Sequence, residues 1–345
     1  MDEEALESSY RLTKYFFITL GVLIFLGLIM VFSSSYIYAQ EIHGSSYYFV
    51  VRQLAFLSVG ILLAILVGRT KISFWIKHGH HINFAFTILL MVTLVPSLGF
   101  TAKGASRWIS WHGINLQPGE FIKFGLILTS LYFFENFSQM ERKELLKRLA
   151  LLLLPLAILI KQPDFGTFTI GLLVIMFVCY MSSFPRKYFY LFISTGAIFT
   201  TTILFLQPYR VARILTFLDP WKNPKTSGFQ IIQSYLAFAN GSIVGEGLGN
   251  GHEKLFYLPE AHNDFIFSVI GEELGLIGVL FTICVVVLFL YLGFRLALIV
   301  NNRISLILIS SVVFTLSFQS FFNMGVVLGL LPTKGLNLPF ISYGG

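Results

Sequence analysis

Charge is what this sequence has least of. Only 12% of its 345 residues are Asp, Glu, Lys or Arg, while 56% are hydrophobic; a soluble domain carries about 25% charged residues. A water-soluble globular protein is therefore excluded, and the chain is predicted to be an all-α, polytopic transmembrane helix bundle. Cysteine is nearly absent too. Cys179 and Cys284 both lie in apolar runs, which rules out a disulfide framework, and no Cys/His spacing resembles a zinc site. Nothing reads as a cleaved leader: the first apolar run, residues 15–32, is nearer a full span than a signal core, and no convincing cleavage site follows it. The net charge of +7 is no argument for nucleic acid, because in a membrane protein the placement of Lys and Arg says more than their sum.

What is there is a series of apolar runs. Those able to cross a bilayer begin near Tyr15, Leu54, Ile82, Phe121, Leu149, Thr167, Tyr188, Asp264 and Ile304, which predicts nine spans, with a short re-entrant segment as the open question. With the N-terminus cytoplasmic, the inner segments hold thirteen Lys and Arg residues, among them Arg69, Lys71, Arg142 and Arg148. The short outer loops then hold five: Arg52, Lys103, Arg107, Lys161 and Lys334. That asymmetry fixes the predicted orientation, and it puts His78, His80 and His81 in a solvated cytoplasmic loop. One outer connection, residues 207–263, is far longer than its neighbours, and long ordered loops tend to be functional. It contains Arg213, an amphipathic stretch at 228–238 and the run Gly-Glu-Gly-Leu-Gly-Asn-Gly at 245–251. The glycine run lacks the Gly-Lys-Ser/Thr ending and strand–helix context of a nucleotide cradle, so a flexible or tightly turned loop is expected.

Acids at membrane depth draw attention because each costs on the order of 2.5–3.5 kcal/mol even on the mildest scale. Residues 254–278 set Asp264 at the head of an apolar helix, with Glu272 and Glu273 two turns on. At 100° per residue Asp264, Ser268, Gly271, Gly275 and Gly278 share a stripe, which suggests tight packing below and an acid open to a cavity above. Asp264 as a plain helix N-cap is the alternative. Glu120 and Lys123 form an i, i+3 pair just after Pro118, either at a site or as an internal ion pair. Arg107 beside Trp108 also suits interfacial anchoring, and Asp164 sits in a tight Gln-Pro-Asp-Phe-Gly turn. Gln319, Asn323, Lys334 and Ser342 complete a polar set predicted to lie in the outer half. Acids and cations together there suit a substrate with an anionic head and a lipid tail.

Together the motifs resemble the SEDS family (shape, elongation, division and sporulation), over about residues 15–345. They are Gly-Ala-Ser-Arg-Trp-Ile at 104–109, Gln-Pro-Gly-Glu at 117–120 with Lys123, Gln-Pro-Asp-Phe-Gly at 162–166, Gly-Phe-Gln at 228–230, Tyr-Leu-Pro-Glu-Ala-His at 257–262 with Asp264, and Leu-Pro-Thr-Lys-Gly at 331–335. The stretch 255–262 and Ile-Gly-Glu-Glu at 270–273 look more like the FtsW/SpoVE branch than the RodA branch. Gly119 stands where the family usually has Ser, and Asn263 where it usually has Thr. The resemblance implies a single membrane domain, residues 1–345, with residues 207–263 as its large outer loop. It also implies a tenth span beyond the Ser-Tyr-Gly-Gly ending, which this sequence does not contain, so a C-terminally incomplete chain is expected.

The resemblance further implies a glycan polymerase acting on lipid II, the disaccharide-pentapeptide on undecaprenyl pyrophosphate, at the division septum of the bacterial cytoplasmic membrane. Asp264 is the expected general base, in one polar cavity with Glu120 and Lys123. Arg107, Lys123, Arg213 and Lys254 are candidates for the pyrophosphate, with Lys334 and Ser342 also placed at the substrate. Glu120 is expected to position Lys123, and Asp164 to meet sugar or a divalent cation, although no metal motif is visible. The implied partners are a class B penicillin-binding protein, other division proteins and the membrane, with no nucleic acid. Two readings from other classes stay open: a lipid II flippase, which needs the same head-group chemistry, and a non-catalytic division scaffold.

Overall fold

The computed structural model describes residues 3–95, 99–102, 105–111, 114–206, 208–226, 228–252 and 261–344. Apolar runs of this length can satisfy their backbone in lipid only as helices, and helices dominate. They are α1 (Glu3–His43), α2 (Tyr48–Gly68), α3 (Ile72–Val92), α4 (Pro118–Asn136), α5 (Arg142–Lys161), α6 (Phe165–Met181), α7 (Arg186–Phe205), α8 (Pro208–Leu218), α9 (Phe229–Gly241), α10 (Ile266–Ile299) and α11 (Arg303–Val327). Among the described residues α1, α2, α10 and α11 are long and apolar enough to cross a membrane by length and composition. Helices α8 and α9 fall inside the long connection, the second of them on the amphipathic stretch.

The all-α expectation needs amending. Three short antiparallel strands, β1 (Gly99–Ala102), β2 (Ala105–Trp111) and β3 (Ile114–Leu116), form a sheet in the order β1-β2-β3. Phe100 pairs with Trp108, and Ile109 with both Gly99 and Leu116. The alternating Arg-Trp-Ile-Ser-Trp of β2 fits a pleated ribbon better than a helix.

Two compact units divide the chain. The first joins residues 1–68, 202–299 and 316–345; the second joins 69–201 and 300–315. In the first, α10 packs on α1 and α9, with Leu23, Met30, Ile231, Ile266, Phe267 and Ile270 fully or almost fully buried. The fit of α9 on α10 is close enough that a Cβ on Gly241 would lie 2.0 Å from the Gly271 carbonyl oxygen. In the second unit α4 packs on α3 and α6, around Leu90, Ile122, Leu126, Leu131, Leu159 and Phe168. Polar ties cross this core: Asn83 Nδ2 donates to the Leu151 carbonyl at 2.8 Å, and Gln162 Nε2 donates to Thr93 Oγ1 at 2.6 Å.

The three histidines are not in a loop. Helix α3 starts at Ile72, ten residues before the predicted span, and Trp75 carries its contact with α4 into this extension; the Trp75 and Phe124 rings are 5.8 Å apart. His80 is half-buried. Burial first, then the nearby Arg148, His81 and Lys147 charges, push its pKa down to about 4, against a smaller opposing pull from Glu144. The unfolded chain, with an ordinary His near 6.5, binds that proton first, so stability falls as pH drops from about 6.5 towards 4. The thermal midpoint of the purified protein should therefore fall less between pH 7 and pH 5 in His80→Gln than in the wild type. Equal falls in the two proteins would remove His80 from the acid response.

Candidate functional site

Asp264 does not head its helix. It lies in a turn spanning residues 261–265, and α10 begins at Ile266. The reason is the fate of three carbonyls that would otherwise start the helical ladder. His262 O accepts from the Tyr343 amide at 3.0 Å, Asn263 O accepts from Ser342 Oγ at 2.7 Å, and Asp264 O accepts from Asn323 Nδ2 at 2.8 Å. Asn323 Nδ2 also donates to Leu336 O at 2.6 Å, and Ser342 Oγ accepts from the Leu338 amide at 2.8 Å. The turn is thus held by α11 and the segment after it.

Asp264 is half-buried, and a Cβ on Gly335 would sit 3.0 Å from its Oδ2. The glycine lets the backbone approach the carboxylate closely; a side chain at 335 would make the Asp264 carboxylate shift. Two predicted cations join the same segment. Lys334 precedes this glycine, with its ammonium 5.1 Å from the Phe322 ring centre, and Arg213 on α8 donates to Thr333 O at 3.1 Å. Ser342 is fully buried and acts on backbone, as described. Lys254 lies outside the described residues, as do residues 257–260 of the motif before Asp264.

The second unit gathers the other predicted residues. Pro118 opens α4, and Lys123, 5% exposed, donates to Glu120 Oε2 at 2.5 Å while Glu120 remains partly open. Asp164 caps α6: Oδ1 accepts from the Thr167 amide at 3.2 Å and Oδ2 from Thr167 Oγ1 at 2.9 Å. Its carboxylate is also near α4, since a Cβ on Gly119 would lie 3.7 Å from Oδ2. Arg107 on β2 donates to Pro163 O at 2.7 Å, one residue away. Arg107, Glu120, Lys123 and Asp164 therefore belong to one neighbourhood within this unit. Among the described residues no group of three His, Cys, Asp or Glu is arranged to hold a metal ion.

The chain is similar to known proteins. A family model described as cell cycle protein, for FtsW, RodA and SpoVE, matches residues 13–345. The chain belongs to this FtsW/RodA/SpoVE family. A relative from Geobacter metallireducens, called a probable peptidoglycan glycosyltransferase FtsW, is 41% identical over 92% of this chain and 86% of its own. Another of the same description, from Trichlorobacter lovleyi, is 38% identical over 99% and 91%. A solved structure described as showing structural coordination of polymerization and crosslinking by a peptidoglycan synthase complex aligns with a TM-score of 0.74. It is 26% identical and covers 95% of this chain and 91% of the other. Thermus thermophilus RodA, a rod shape determining protein, shares the fold with a TM-score of 0.67 at 23% identity, over 95% and 89%.

Sequence reasoning picked out the charged residues and missed the groups that hold them. Thr167 takes both oxygens of Asp164, and Gly335 makes room at Asp264. Ser33 on α1, within a Ser-Ser-Ser run unusual for an apolar helix, donates to Glu273 Oε2 at 2.5 Å. The predicted glycine stripe also breaks. Gly275 has φ +64°, outside helical geometry, so Gly278 is no longer in phase with Gly271.

Proposed function

We propose that this FtsW-family protein is a peptidoglycan glycosyltransferase that polymerises lipid II during cell division, with Asp264 as general base. The observation that carries the proposal is the setting of Asp264: a half-buried carboxylate on a turn fixed by three main-chain tethers, beside Gly335, with Lys334 next to that glycine and Arg213 of α8 bonded to Thr333 O of the same segment. The acceptor GlcNAc 4-hydroxyl attacks the anomeric carbon of the lipid-linked strand. Its proton passes to the Asp264 carboxylate as the new C–O bond forms, and the bond to pyrophosphate breaks. An α-linked donor then gives a β-1,4 product, a single inverting displacement that needs one base and no nucleophilic carboxylate. A rigid base saves the ordering that a mobile one would need.

The leaving pyrophosphate calls for cations. Arg213, Lys334 and Lys254 are assigned to it, guanidinium being suited to bidentate phosphate contact, and Arg107 and Lys123 are kept as substrate-binding candidates. Glu120 orients Lys123, and Asp164 holds the α4–α6 end in place for the sugar. We assign the protein to the cytoplasmic membrane at the septum, N-terminus inside, with its outer loop meeting a class B penicillin-binding protein that crosslinks the product; the long apolar helices support the membrane part of this reading. Direct polymerisation of purified lipid II by the purified protein tests the activity; transport of lipid II between leaflets with no polymer formed would favour a flippase.

The second unit also offers a place for the lipid tail. An apolar cavity of about 730 Å³ lies among α4, α5, α6 and α7, lined by Phe133, Leu156, Phe168, Leu172, Leu191 and Phe199. Gly196 borders it, and a Cβ added there would meet only Leu172 Cδ2, at 4.0 Å. Gly196→Phe should fill this space and raise KM for lipid II by about tenfold while kcat stays within about twofold, as expected for loss of binding that is uniform between ground and transition states. An unchanged KM would exclude the cavity as the tail site.

A further inference from the structure

The glycine run at 245–251 is neither loose nor a ligand cradle; it is spliced into a broken helix. In an unbroken α10 the Leu276 and Ile277 amides would donate to the Glu272 and Glu273 carbonyls. At Gly275 the helix opens, and all four groups turn to the loop. Leu276 N donates to Ser242 O at 3.0 Å and Ile277 N to Ile243 O at 3.3 Å, while Glu246 N donates to Glu272 O and Gly247 N to Glu273 O, both at 3.0 Å. Gly245, Gly247 and Gly249 have φ near +90° (88°, 95° and 84°), a region that side chains disfavour.

The two glutamate side chains close the splice. Glu272 is 0% exposed and Glu273 1%. Glu272 Oε1 accepts from the His252 amide at 2.7 Å, and Glu273 Oε2 accepts from the Gly249 amide at 3.2 Å as well as from Ser33 Oγ. Carboxylates only accept, and so suit a loop that presents amides. The clip fastens the chain at His252, and the turn described above fastens it again at His262 through Asp264. Glu272 and Glu273 thus join the loop to the arm of α10 that runs on from the Asp264 turn.

We propose that Glu272 and Glu273 are positioning residues for glycan polymerisation: by locking the outer loop into the break of α10 they hold in place the first arm of that helix, which runs on from the turn that presents Asp264. The proposal rests on the reading of Asp264 as base. Its signature is a loss of turnover without loss of substrate binding, in step with loosening of the loop.

The test uses the full chain in lipid nanodiscs, with lipid II polymerisation and backbone hydrogen exchange measured together. Glu273→Ala should lower kcat at least about tenfold with KM within about twofold, and should speed exchange of the amides in residues 245–251 at least about tenfold. Glu273→Gln, whose amide oxygen still accepts, should recover most of both. Ser33→Ala should move both in the same direction by less, and carries the test if Glu273→Ala does not fold. A loosened loop with kcat within about twofold of wild type overturns the proposal, as does a lower kcat with unaltered loop exchange. Asp264→Asn run beside them separates the two claims. Retained turnover there sinks the base and leaves the loop measurements to judge the clip, whereas lost turnover with unchanged loop exchange upholds the base whatever the Glu273 variants do.

Discussion

Asp264→Asn is expected to stop lipid II polymerisation, with a fall of about 10²–10⁴-fold, the usual worth of a general base. The amide keeps the size of the carboxylate but cannot take a proton from a sugar hydroxyl. Three tethers of the turn run to the carbonyls of residues 262, 263 and 264, and the Asn side chain leaves all three in place. Fold and lipid II binding should therefore survive, and bound lipid II should accumulate unreacted. Turnover above about a tenth of the wild-type rate would exclude the general-base role. Measuring polymer length and lipid II affinity on the same preparation separates a chemical defect from a binding defect.

Gly241→Ala is expected to do comparable damage by a purely steric route. The added methyl would lie 2.0 Å from the Gly271 oxygen and 2.8 Å from the Glu272 Cα. Both are backbone atoms that no rotamer change can move aside, so α9 and α10 must separate. Overpacking of side chains costs about 1–3 kcal/mol, and a clash between main chains should reach at least that range. A drop in thermal midpoint of several degrees, with loss of activity, is the expected result. Gly60→Ala on α2, where nothing lies within 4 Å of the new methyl, is the matched control and should leave both unchanged. If the two variants melt together, the close passage of α9 over α10 is not a feature of the folded protein.

The two substitutions probe features of different legibility. Long apolar runs made the helices readable, because lipid leaves the backbone few alternatives, and the motif charges pointed to Asp264, Glu120 and Lys123. The boundaries were less readable. Nothing local tells that α10 starts at Ile266, since the carbonyls that delay it are taken by Asn323, Ser342 and Tyr343 from distant sequence. The break at Gly275 was hidden for the same reason: a glycine on a small-residue stripe reads as a packing site, and only the incoming loop makes the open helix favourable. The sheet at residues 99–116 went unread because it is short and sits between spans, where the apolar pattern carries little information. Asp164 shows the converse case, a residue read for chemistry whose two oxygens both hold Thr167.

The opening in α10 also bears on which bilayers suit this protein. Its 34 residues would extend about 51 Å as one straight helix, well beyond a hydrocarbon core of about 30 Å. Before Gly275 the helix is wrapped in protein; after it Leu276, Ile277, Leu280 and Phe281 are exposed. The lipid-matched length is thus set from Leu276 to the end of the helix, about 36 Å, and needs only a moderate tilt. Shorter acyl chains would bring the headgroup region down onto the spliced loop, where water competes for its amides. Turnover should then vary with acyl-chain length even though no catalytic side chain has changed.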